Sequence, residues 1–287
     1  MNDTRKPLLE VENLSVTYRT PKGPVEAVRG VSFDLGREKL GIVGESGSGK
    51  SQTGRAILGL TDRNGTVAAD KLHFGETDLL NADNRTMRDI RGSRISMILQ
   101  DPKYSLNPVM NVGRQIEEAF LVHQKSSRAV AKERTLEMLR MVRIRDPERV
   151  YRAYPHELSG GMGQRVMIAM MMIPEPDIII ADEPTSALDV TVSLQVLAIL
   201  DDMVTRNGTG LIFISHDLNL VASFCDRVLI MYGGRVVETC RADELDKAQH
   251  PYTRGLLSCL PRLDGQDDIL QVLDRDPAWA LLDGETP

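Results

Sequence analysis

One stretch of this sequence reads Gly44-Glu45-Ser46-Gly47-Ser48-Gly49-Lys50-Ser51 and fits the pattern GxxxxGK[ST]. The apolar residues 40–43 precede it and residues 51–60 have the composition of a helix, so it lies between a strand and a helix. Glycines let the backbone turn tightly and point N–H groups at phosphate oxygens, and the helix N-terminus adds positive dipole. The pattern predicts a nucleoside triphosphate site in which Lys50 supplies charge and Ser51 a magnesium ligand. A Gly-rich turn before a structural helix is the alternative.

Composition excludes several classes of protein. The chain has 287 residues, 41% hydrophobic and 26% charged, with a net charge of -6, which is typical of a globular protein with a large core. No apolar stretch approaches the roughly 20 residues of a membrane span and the N-terminus lacks a signal-peptide core, so we expect a cytoplasmic chain. The odd, widely spaced cysteines Cys225, Cys240 and Cys259 favour neither disulfides nor a metal site. An acidic chain with few aromatics is also a poor nucleic-acid binder, so no such partner is expected.

The first half of the chain changes from strand-like to helix-like patterns. Residues 8–33 alternate apolar and polar positions around turn signals, which predicts antiparallel strands before the phosphate loop. Residues 100–158 are charged and rich in helix formers, with helices predicted over 113–124 and 127–142. A mostly helical insertion is therefore expected there.

The second half returns to strand signals. Residues 178–181 and 210–214 are short apolar runs separated by a helix-like segment, 190–204, which indicates a parallel α/β sheet. Two further runs around Tyr232-Gly233-Gly234 predict a terminal hairpin. From residue 264 onward the chain is acidic and without period, and its lone Trp279 is interpreted as part of a solvated terminus, with docking as the alternative.

A second glycine-rich stretch, Leu158-Ser159-Gly160-Gly161-Met162-Gly163-Gln164-Arg165, precedes a helix predicted over 162–173. The first loop can already hold a whole triphosphate. A second anion-binding helix start is therefore expected to contact that phosphate from another subunit and to close the site between two protomers. A flexible helix cap is the alternative.

With these motifs the chain resembles the ATPase subunits of ABC transporters. The stretch LSGGxxQR is similar to the signature of that family, and the motifs occur in the same order throughout residues 8–238. The resemblance implies an α/β fold, an ABC-type P-loop ATPase with a RecA-like parallel-sheet core, an antiparallel β subdomain and a helical subdomain over about 101–160. Residues 239–287 would form a C-terminal extension.

Two carboxylates, Asp182 and Glu183, end the apolar run at the edge where parallel sheets bind ligands. The resemblance implies that Asp182 holds Mg²⁺ and that Glu183 orients or deprotonates the water that attacks the γ-phosphate of ATP. Because this catalytic glutamate is present, we expect hydrolysis and not binding alone. Capping of the following helix is the structural alternative.

The remaining site residues are assigned by resemblance. Gln100 would reach magnesium and the attacking water, and His216 would contact the γ-phosphate and keep the water aligned with Glu183. Tyr18 would stack on adenine, since a ring face needs no specific base edge. Asp189 would help to position the opposite active site. The signature residues that would contact the ATP of the partner subunit are Ser159, Gly160, Gly161 and Gln164.

Two segments, 100–110 and 250–257, look like those of ABC importers for oligopeptides, dipeptides and nickel. This branch implies a second ATPase subunit, identical or not, two membrane permeases, an extracytoplasmic binding protein and a peripheral position on the cytoplasmic face of a bacterial membrane. Gly163 and Pro174 depart from the usual pattern without removing a phosphate ligand. The cysteine-bearing segment that holds an iron–sulfur cluster in many relatives has no counterpart after Pro261, so no cluster is expected.

Two other function classes remain open as alternatives. One is a soluble ABC-type ATPase that acts on DNA, ribosomes or another macromolecule, but such proteins carry coiled coils or tandem ATPase domains, and this chain has one set of motifs and no heptad run. The other is a nucleotide-gated interaction module, which the presence of Glu183 and His216 disfavours.

Overall fold

The computed structural model describes residues 6–259, Asp276 and Trp279. The chain divides into two compact units: Met1–Ala82 with Ile212–Pro287, called the first unit, and Asp83–Leu211, the second. The first unit begins with β1 (Leu9–Thr20), β2 (Gly23–Leu35), β3 (Lys39–Val43), α1 (Lys50–Ile57), β4 (Gly65–Ala68), β5 (Lys71–Phe74) and β6 (Thr77–Asp78).

The second unit is mostly helical. Its elements are α2 (Asn84–Ile90), β7 (Ile95–Ile98), α3 (Pro102–Ser105), α4 (Val112–His123), α5 (Arg128–Met141), α6 (Pro147–Arg152), α7 (Gly160–Met172), β8 (Ile178–Asp182) and α8 (Val190–Asn207). The chain then crosses the boundary between the units within β9 (Gly210–Ser215) and continues through α9 (Leu218–Phe224), β10 (Arg227–Tyr232), β11 (Arg235–Arg241) and α10 (Pro251–Ser258).

An antiparallel sheet occupies the start of the first unit. Strand β1 pairs antiparallel with β2, β4 and β5, as the alternating pattern predicts. Leu9, Val11, Leu14 and Val16 are buried on one face. The alternation skips one residue at Asn13, where φ is 53° and the register with β2 shifts, so a bulge keeps the apolar side chains on the same face.

Strand β3 leads directly into the phosphate loop. It pairs in parallel with β10, with Leu40 opposite Arg227, and β10 turns back into the antiparallel β11. The turn contains Gly233 and Gly234, with φ of 55° and 86°, which is the conformation that tight hairpins favour. The predicted strand before the loop and the predicted hairpin are thus confirmed.

In the second unit β7 and β8 pair in parallel, with Ile95 opposite Ile178. Both strands are buried along their whole length, which explains why they are apolar except for Ser96 and Asp182 and do not alternate. The runs predicted as strands over 178–181 and 210–214 are β8 and β9, and the helix predicted between them is α8. The parallel pairing of β7 with β8 is that of the predicted parallel sheet.

Helices fill the segment between β7 and β8. The predicted helices over 113–124 and 127–142 are α4 and α5, within one residue at each end. Helices α4 and α6 approach closely because Gly113 has no side chain: a Cβ there would lie 2.1 Å from Cδ2 of Tyr151. The boundaries of the helical subdomain and of the C-terminal extension stay predictions.

The structure also differs from the sequence-based expectations. Strands β4 to β6 and helices α2 and α10 are not among the predicted elements. Trp279 is not simply solvated: its ring lies 5.9 Å from the rings of Tyr232 and Tyr252, because these aromatic side chains offer it an apolar surface. The rest of the predicted acidic tail, including the segment after Pro261 on which the iron–sulfur expectation depends, lies outside the described residues, apart from Asp276.

The cysteines of the described chain are unpaired. Cys225 is buried, and Cys240 and Cys259 are half-buried. Burial raises the pKa of Cys225 to about 12 and that of Cys240 to about 11, so both stay as thiols at neutral pH. Within residues 6–259, no helix has the length and apolar character needed to cross a bilayer.

Candidate functional site

The phosphate loop is enclosed by the backbone of its own unit. A Cβ at Gly44 would lie 2.1 Å from the carbonyl oxygen of Met231, and one at Gly49 would lie 2.4 Å from that of Ala27. Gly49 also has φ of 99°, a conformation that L side chains rarely adopt. Glycine is therefore required at both positions, and the loop is held in a tight curve directly after β3.

The loop keeps polar groups that suit a phosphate. Helix α1 begins after Gly49 and has no side-chain N-cap in the described part of the chain, so no capping side chain stands between its N-terminus and a ligand of the loop. The Oγ atom of Ser48 is buried and has no hydrogen-bond partner among residues 6–259. An uncapped helix start beside an orphaned hydroxyl fits an anionic ligand.

Lys50 is 5% exposed and its ammonium lies inside the loop. Its Nζ donates to the carbonyl oxygens of Gly44 and Glu45, at 2.8 Å each. These bonds compensate for burial of the charge and fix the ammonium against the backbone of the loop. The predicted charge at this site is thus positioned by the loop itself, with Ser51 following in the first turn of α1.

Tyr18 lies on β1 of the same unit, where its hydroxyl donates to Oε1 of Gln52 at 2.5 Å. Burial, with the nearby carboxylate of Asp62, raises the pKa of Tyr18 above its ordinary value, so the hydroxyl stays protonated. Gln52 follows Ser51 in α1. The hydrogen bond therefore fixes the ring of Tyr18 close in space to the helix that begins at the phosphate loop.

Residues of the second unit form a cluster of carboxylate and amide groups after β8. Asp182 ends the strand and is 5% exposed, whereas Glu183 is half-buried with φ of 47°. The left-handed backbone at a non-glycine residue is costly and is characteristic of functional sites. Nε2 of Gln100 donates to Oε2 of Glu183 at 3.3 Å, so the structure brings these two predicted residues together.

The signature stretch forms an open helix start. Ser159 is exposed and caps α7, its Oγ accepting from the Met162 N–H at 3.4 Å. Gly161 lies against α8, since a Cβ there would be 2.5 Å from Cγ1 of Val192. Asp189 caps α8 by accepting from the same Val192 at 3.0 Å. The N-terminus of α7, which carries the signature stretch, is therefore in contact with the N-terminus of α8, which Asp189 caps.

A pocket of about 190 Å³ lies beside this helix start. Gln164 lines it, is 1% exposed and has an Nε2 without a hydrogen-bond partner in the described chain. The other polar residues of its lining are Asp101 and Ser159, and Gly160 borders it as well. The glycine at position 163, a departure from the family pattern, packs against Pro102.

His216 belongs to the first unit and follows β9, where it is exposed. The next residue, Asp217, caps α9 by accepting from the Leu220 N–H at 3.1 Å. The structure therefore places His216 directly after a buried strand, in a turn that is held by the Asp217 cap of α9. Its role stays a prediction.

One contact of the phosphate loop was not predicted. The Glu45 N–H donates to the hydroxyl of Tyr252 at 3.1 Å, across 207 positions of sequence. Tyr252 belongs to the segment 250–257, which the sequence identifies only as a marker of the importer branch. No sequence signal in α10 indicates this contact, because the burial of Tyr252 is visible only in the structure.

Comparison with known proteins identifies relatives that align with nearly the whole chain. Residues 28–186 match the family described as ABC transporter. The dipeptide transport ATP-binding protein DppD of Bacillus subtilis is 47% identical over 94% of this chain and 82% of its own length. The oligopeptide transport ATP-binding protein OppD of Salmonella typhimurium is 46% identical over 94% of this chain and 81% of its own length.

The fold is similar to that of solved ATP-binding subunits of ABC transporters. The dimeric ATP-binding cassette MJ0796, in a post-hydrolysis state bound to ADP and Pi, is similar with a TM-score of 0.71 and 27% identity, over 82% of this chain and 98% of that one. The cbiO1 protein of Clostridium perfringens, part of the transporter complex cbiONQ, gives a TM-score of 0.72 and 26% identity over 85% and 92% of the two chains. These likenesses confirm the predicted fold class.

Proposed function

Since this chain belongs to the ABC transporter family, whose domain binds ATP, we propose that it is the ATP-hydrolysing motor subunit of an importer for dipeptides or oligopeptides. The proposal for the cargo is supported by the relatives, which are named as dipeptide and oligopeptide transport ATP-binding proteins and align with nearly the whole chain. The alternative of an ATPase working on a macromolecule gains no support from these relatives.

The contact between Gln100 and Glu183 is the observation that carries the proposal of hydrolysis. A carboxylate that orients a water molecule, or takes a proton from it, has to be held in a fixed orientation. The amide of Gln100 donates to one oxygen of Glu183, and the carbonyl of Glu183 accepts from the Ser186 hydroxyl at 3.1 Å. The backbone and the side chain of the proposed catalytic base are therefore both held in a fixed direction.

The phosphates of ATP would be bound by the loop of the first unit. Its N–H groups and the Lys50 ammonium stabilise negative charge that develops on the transferred phosphoryl group. His216 would contact the γ-phosphate and Tyr18 the adenine ring. The proposed magnesium ligands are the Ser51 hydroxyl, the Asp182 carboxylate and the Gln100 amide, oxygen ligands of the kind Mg²⁺ prefers, and the ion would neutralise phosphate charge.

We further propose that a second subunit completes the site. The signature helix start is exposed at Ser159 and Gly160, so an anion could approach it from outside the chain. Val190 is 77% exposed and Leu194 60%, on the helix that Asp189 caps. Large apolar side chains of this kind, next to a polar helix start, support a protein–protein interface at which ATP lies between two chains.

The remaining partners follow from the importer class. Two permeases would cross the membrane and an extracytoplasmic binding protein would deliver the peptide, with this chain peripheral on the cytoplasmic face. ATP can drive such a machine only if it binds one arrangement of the dimer more tightly than the other. The two ATPase subunits would close on ATP and separate after hydrolysis, and this movement would switch the permease between outward and inward access.

The substitution Glu183→Gln tests the catalytic role. The amide keeps the size and the hydrogen bond of the carboxylate but cannot accept a proton, so the variant should bind ATP and lose turnover by about a hundredfold or more. The matched control is Glu175→Gln, an exposed residue paired with Arg134 at the surface, which should leave turnover unchanged.

Normal hydrolysis by the Glu183→Gln variant would contradict the assignment. The cargo is tested separately by reconstituting the chain with its permeases and binding protein and measuring ATP turnover with and without peptide. Stimulation by dipeptides or oligopeptides is expected. Stimulation by a different solute only would leave the motor role intact and overturn the peptide assignment.

A further inference from the structure

We propose that Tyr252 is a positioning residue for the phosphate loop, through which α10 and Trp279 are linked to nucleotide binding. This inference rests on the proposed function of the loop as an ATP site. It concerns one hydrogen bond, from the Glu45 N–H to the Tyr252 hydroxyl, and the single peptide group to which that N–H belongs.

The peptide group between Gly44 and Glu45 is held on both sides. Its carbonyl oxygen, on Gly44, accepts from Lys50 Nζ at 2.8 Å, and its N–H, on Glu45, donates to Tyr252 at 3.1 Å. A peptide group is planar, so rotation of one end moves the other. By fixing the N–H, Tyr252 also fixes the direction of the carbonyl that positions the Lys50 ammonium.

Gly44 makes this support necessary. A glycine restricts the backbone less than any other residue, and no side chain at position 44 could help to hold the peptide, because a Cβ there would collide with the Met231 carbonyl. The loop therefore gains its rigidity at this point from outside, and Tyr252 supplies part of it.

Tyr252 itself has little freedom. It is fully buried, and its ring packs against Tyr232 with centroids 4.6 Å apart. Its backbone N–H donates to Nδ1 of His250 at 3.2 Å, which caps α10, and the N–H of His250 donates to the Glu238 carboxylate. The hydroxyl is thus presented to the loop by a helix that is anchored to β11.

Trp279 packs against the aromatic rings of this region. Its ring lies 5.9 Å from Tyr252 and from Tyr232, and 6.4 Å from His250. Aromatic contacts at these distances contribute to packing and transmit small shifts of one ring to the next. A change in the loop on nucleotide binding should therefore alter the surroundings of Trp279, the single tryptophan of the sequence.

The test uses the substitution Tyr252→Phe in the full chain. The ring and its packing remain, but the Glu45 N–H loses its partner, so the Kd for ATP should rise about three- to tenfold, the effect of one net hydrogen bond. The KM for ATP should rise in the same proportion while kcat changes little. ATP should alter the tryptophan emission of the wild type, and the same emission change should be reduced in the variant.

Thr253→Val is the matched control. Thr253 is the next residue of α10, is equally buried, and its hydroxyl has no hydrogen-bond partner in the described part of the chain. Loss of this hydroxyl should leave the Kd for ATP and the emission response unchanged. Thermal unfolding of both variants checks that each is folded at the assay temperature.

The inference is overturned if Tyr252→Phe binds ATP as the wild type does, or if the Thr253→Val control weakens binding by the same factor. It is also overturned if ATP binds to the wild type without changing the emission of Trp279. A wild-type chain that binds no ATP would instead overturn the proposed function, and the two failures are therefore distinguishable.

Discussion

The phosphate loop and the signature stretch are both glycine-rich turns that lead into a helix, yet they are built differently. Helix α1 starts at a buried Lys50, has no side-chain cap in the described chain and is surrounded by the backbone of Met231 and Ala27. Helix α7 starts at an exposed Ser159 that caps its own helix. The first turn is enclosed by its own unit and the second is open to solvent.

This difference explains how two similar motifs can have separate roles. An enclosed turn with a positioned lysine can hold a phosphate by itself, because its donors are fixed before the ligand arrives. An open turn whose serine already accepts from a backbone N–H offers only a weak anion site. It becomes effective when a phosphate held by another chain is brought to it.

The largest expected effect comes from placing the same methyl group in each turn. In Gly44→Ala the new Cβ would lie 2.1 Å from a carbonyl oxygen, so the loop has to move, and we expect ATP affinity to fall about ten- to a hundredfold. In Gly160→Ala the new Cβ would be 3.8 Å from Leu188, an ordinary contact, and ATP affinity should be unchanged. Calorimetric titration with ATP measures both.

Equal losses of affinity in these two variants would show that the enclosed and open turns do not differ as described. The Gly47→Ala variant refines the comparison. A Cβ there meets nothing within 4 Å, but φ is 84°, a conformation that alanine adopts only with strain. We therefore expect the free energy of unfolding to fall by about 1 kcal/mol from backbone strain alone.

A smaller effect is expected when the cap of the signature helix is changed. Aspartate caps a helix as well as serine does, so Ser159→Asp should keep the melting temperature and the ATP affinity of the loop. The added carboxylate would repel a phosphate, and we expect ATP turnover to fall by about tenfold or more. Turnover and thermal unfolding are measured on the same preparation.

Full turnover by Ser159→Asp would mean that the serine is only a helix cap. The complementary variant is Ser159→Ala, which removes the cap without adding charge and should cost about 1 kcal/mol of stability. Comparison of the two separates the structural role from contact with an anion.

The smallest effect concerns pH and the support of the phosphate loop. Burial holds the pKa of His250 below its ordinary value, against the opposing influence of Glu238, and its Nδ1 accepts a hydrogen bond only when unprotonated. The stabilisation is therefore complete above the unfolded pKa of about 6.5 and is lost as pH falls through the lower folded pKa. The signature cap, a serine, has no such dependence.

The measurement is the free energy of unfolding against pH in the wild type and in His250→Asn. Asparagine can cap the helix but does not titrate here, so the variant should lose less stability below pH 6.5. Burial also lowers the pKa of His123, so this residue contributes to the pH dependence of the unfolding free energy in both proteins. Its contribution cancels when the profile of the variant is subtracted from that of the wild type. Identical pH profiles would contradict the role of His250.

Local patterns predicted the parts of the structure that local chemistry determines. The run that became β8 is apolar throughout because the strand is buried on both faces, and the glycine at 44 is needed wherever a loop passes this close to another backbone. The pairing of β1 with β2 followed from alternation, although the bulge at Asn13 shifts it by one residue.

The rest depended on contacts between distant residues. No local signal joins Glu45 to Tyr252, because a tyrosine hydroxyl near the C-terminal end of the chain can find many partners. The acidic segment from residue 264 onward, which has no period, favours a solvated terminus for Trp279, and only the aromatic cluster around Tyr232 reveals its packing. Short strands such as β6, with two residues, carry too few positions for a period.

Mixing two inactive variants tests most directly whether one ATP site needs two chains. Lys50→Ala damages the loop and keeps the signature, whereas Ser159→Asp damages the signature and keeps the loop. If wild-type chains turn over ATP, each variant alone should be nearly inactive, and an equal mixture should recover about a quarter of wild-type turnover with random pairing. A mixture no more active than its two components would contradict the shared site.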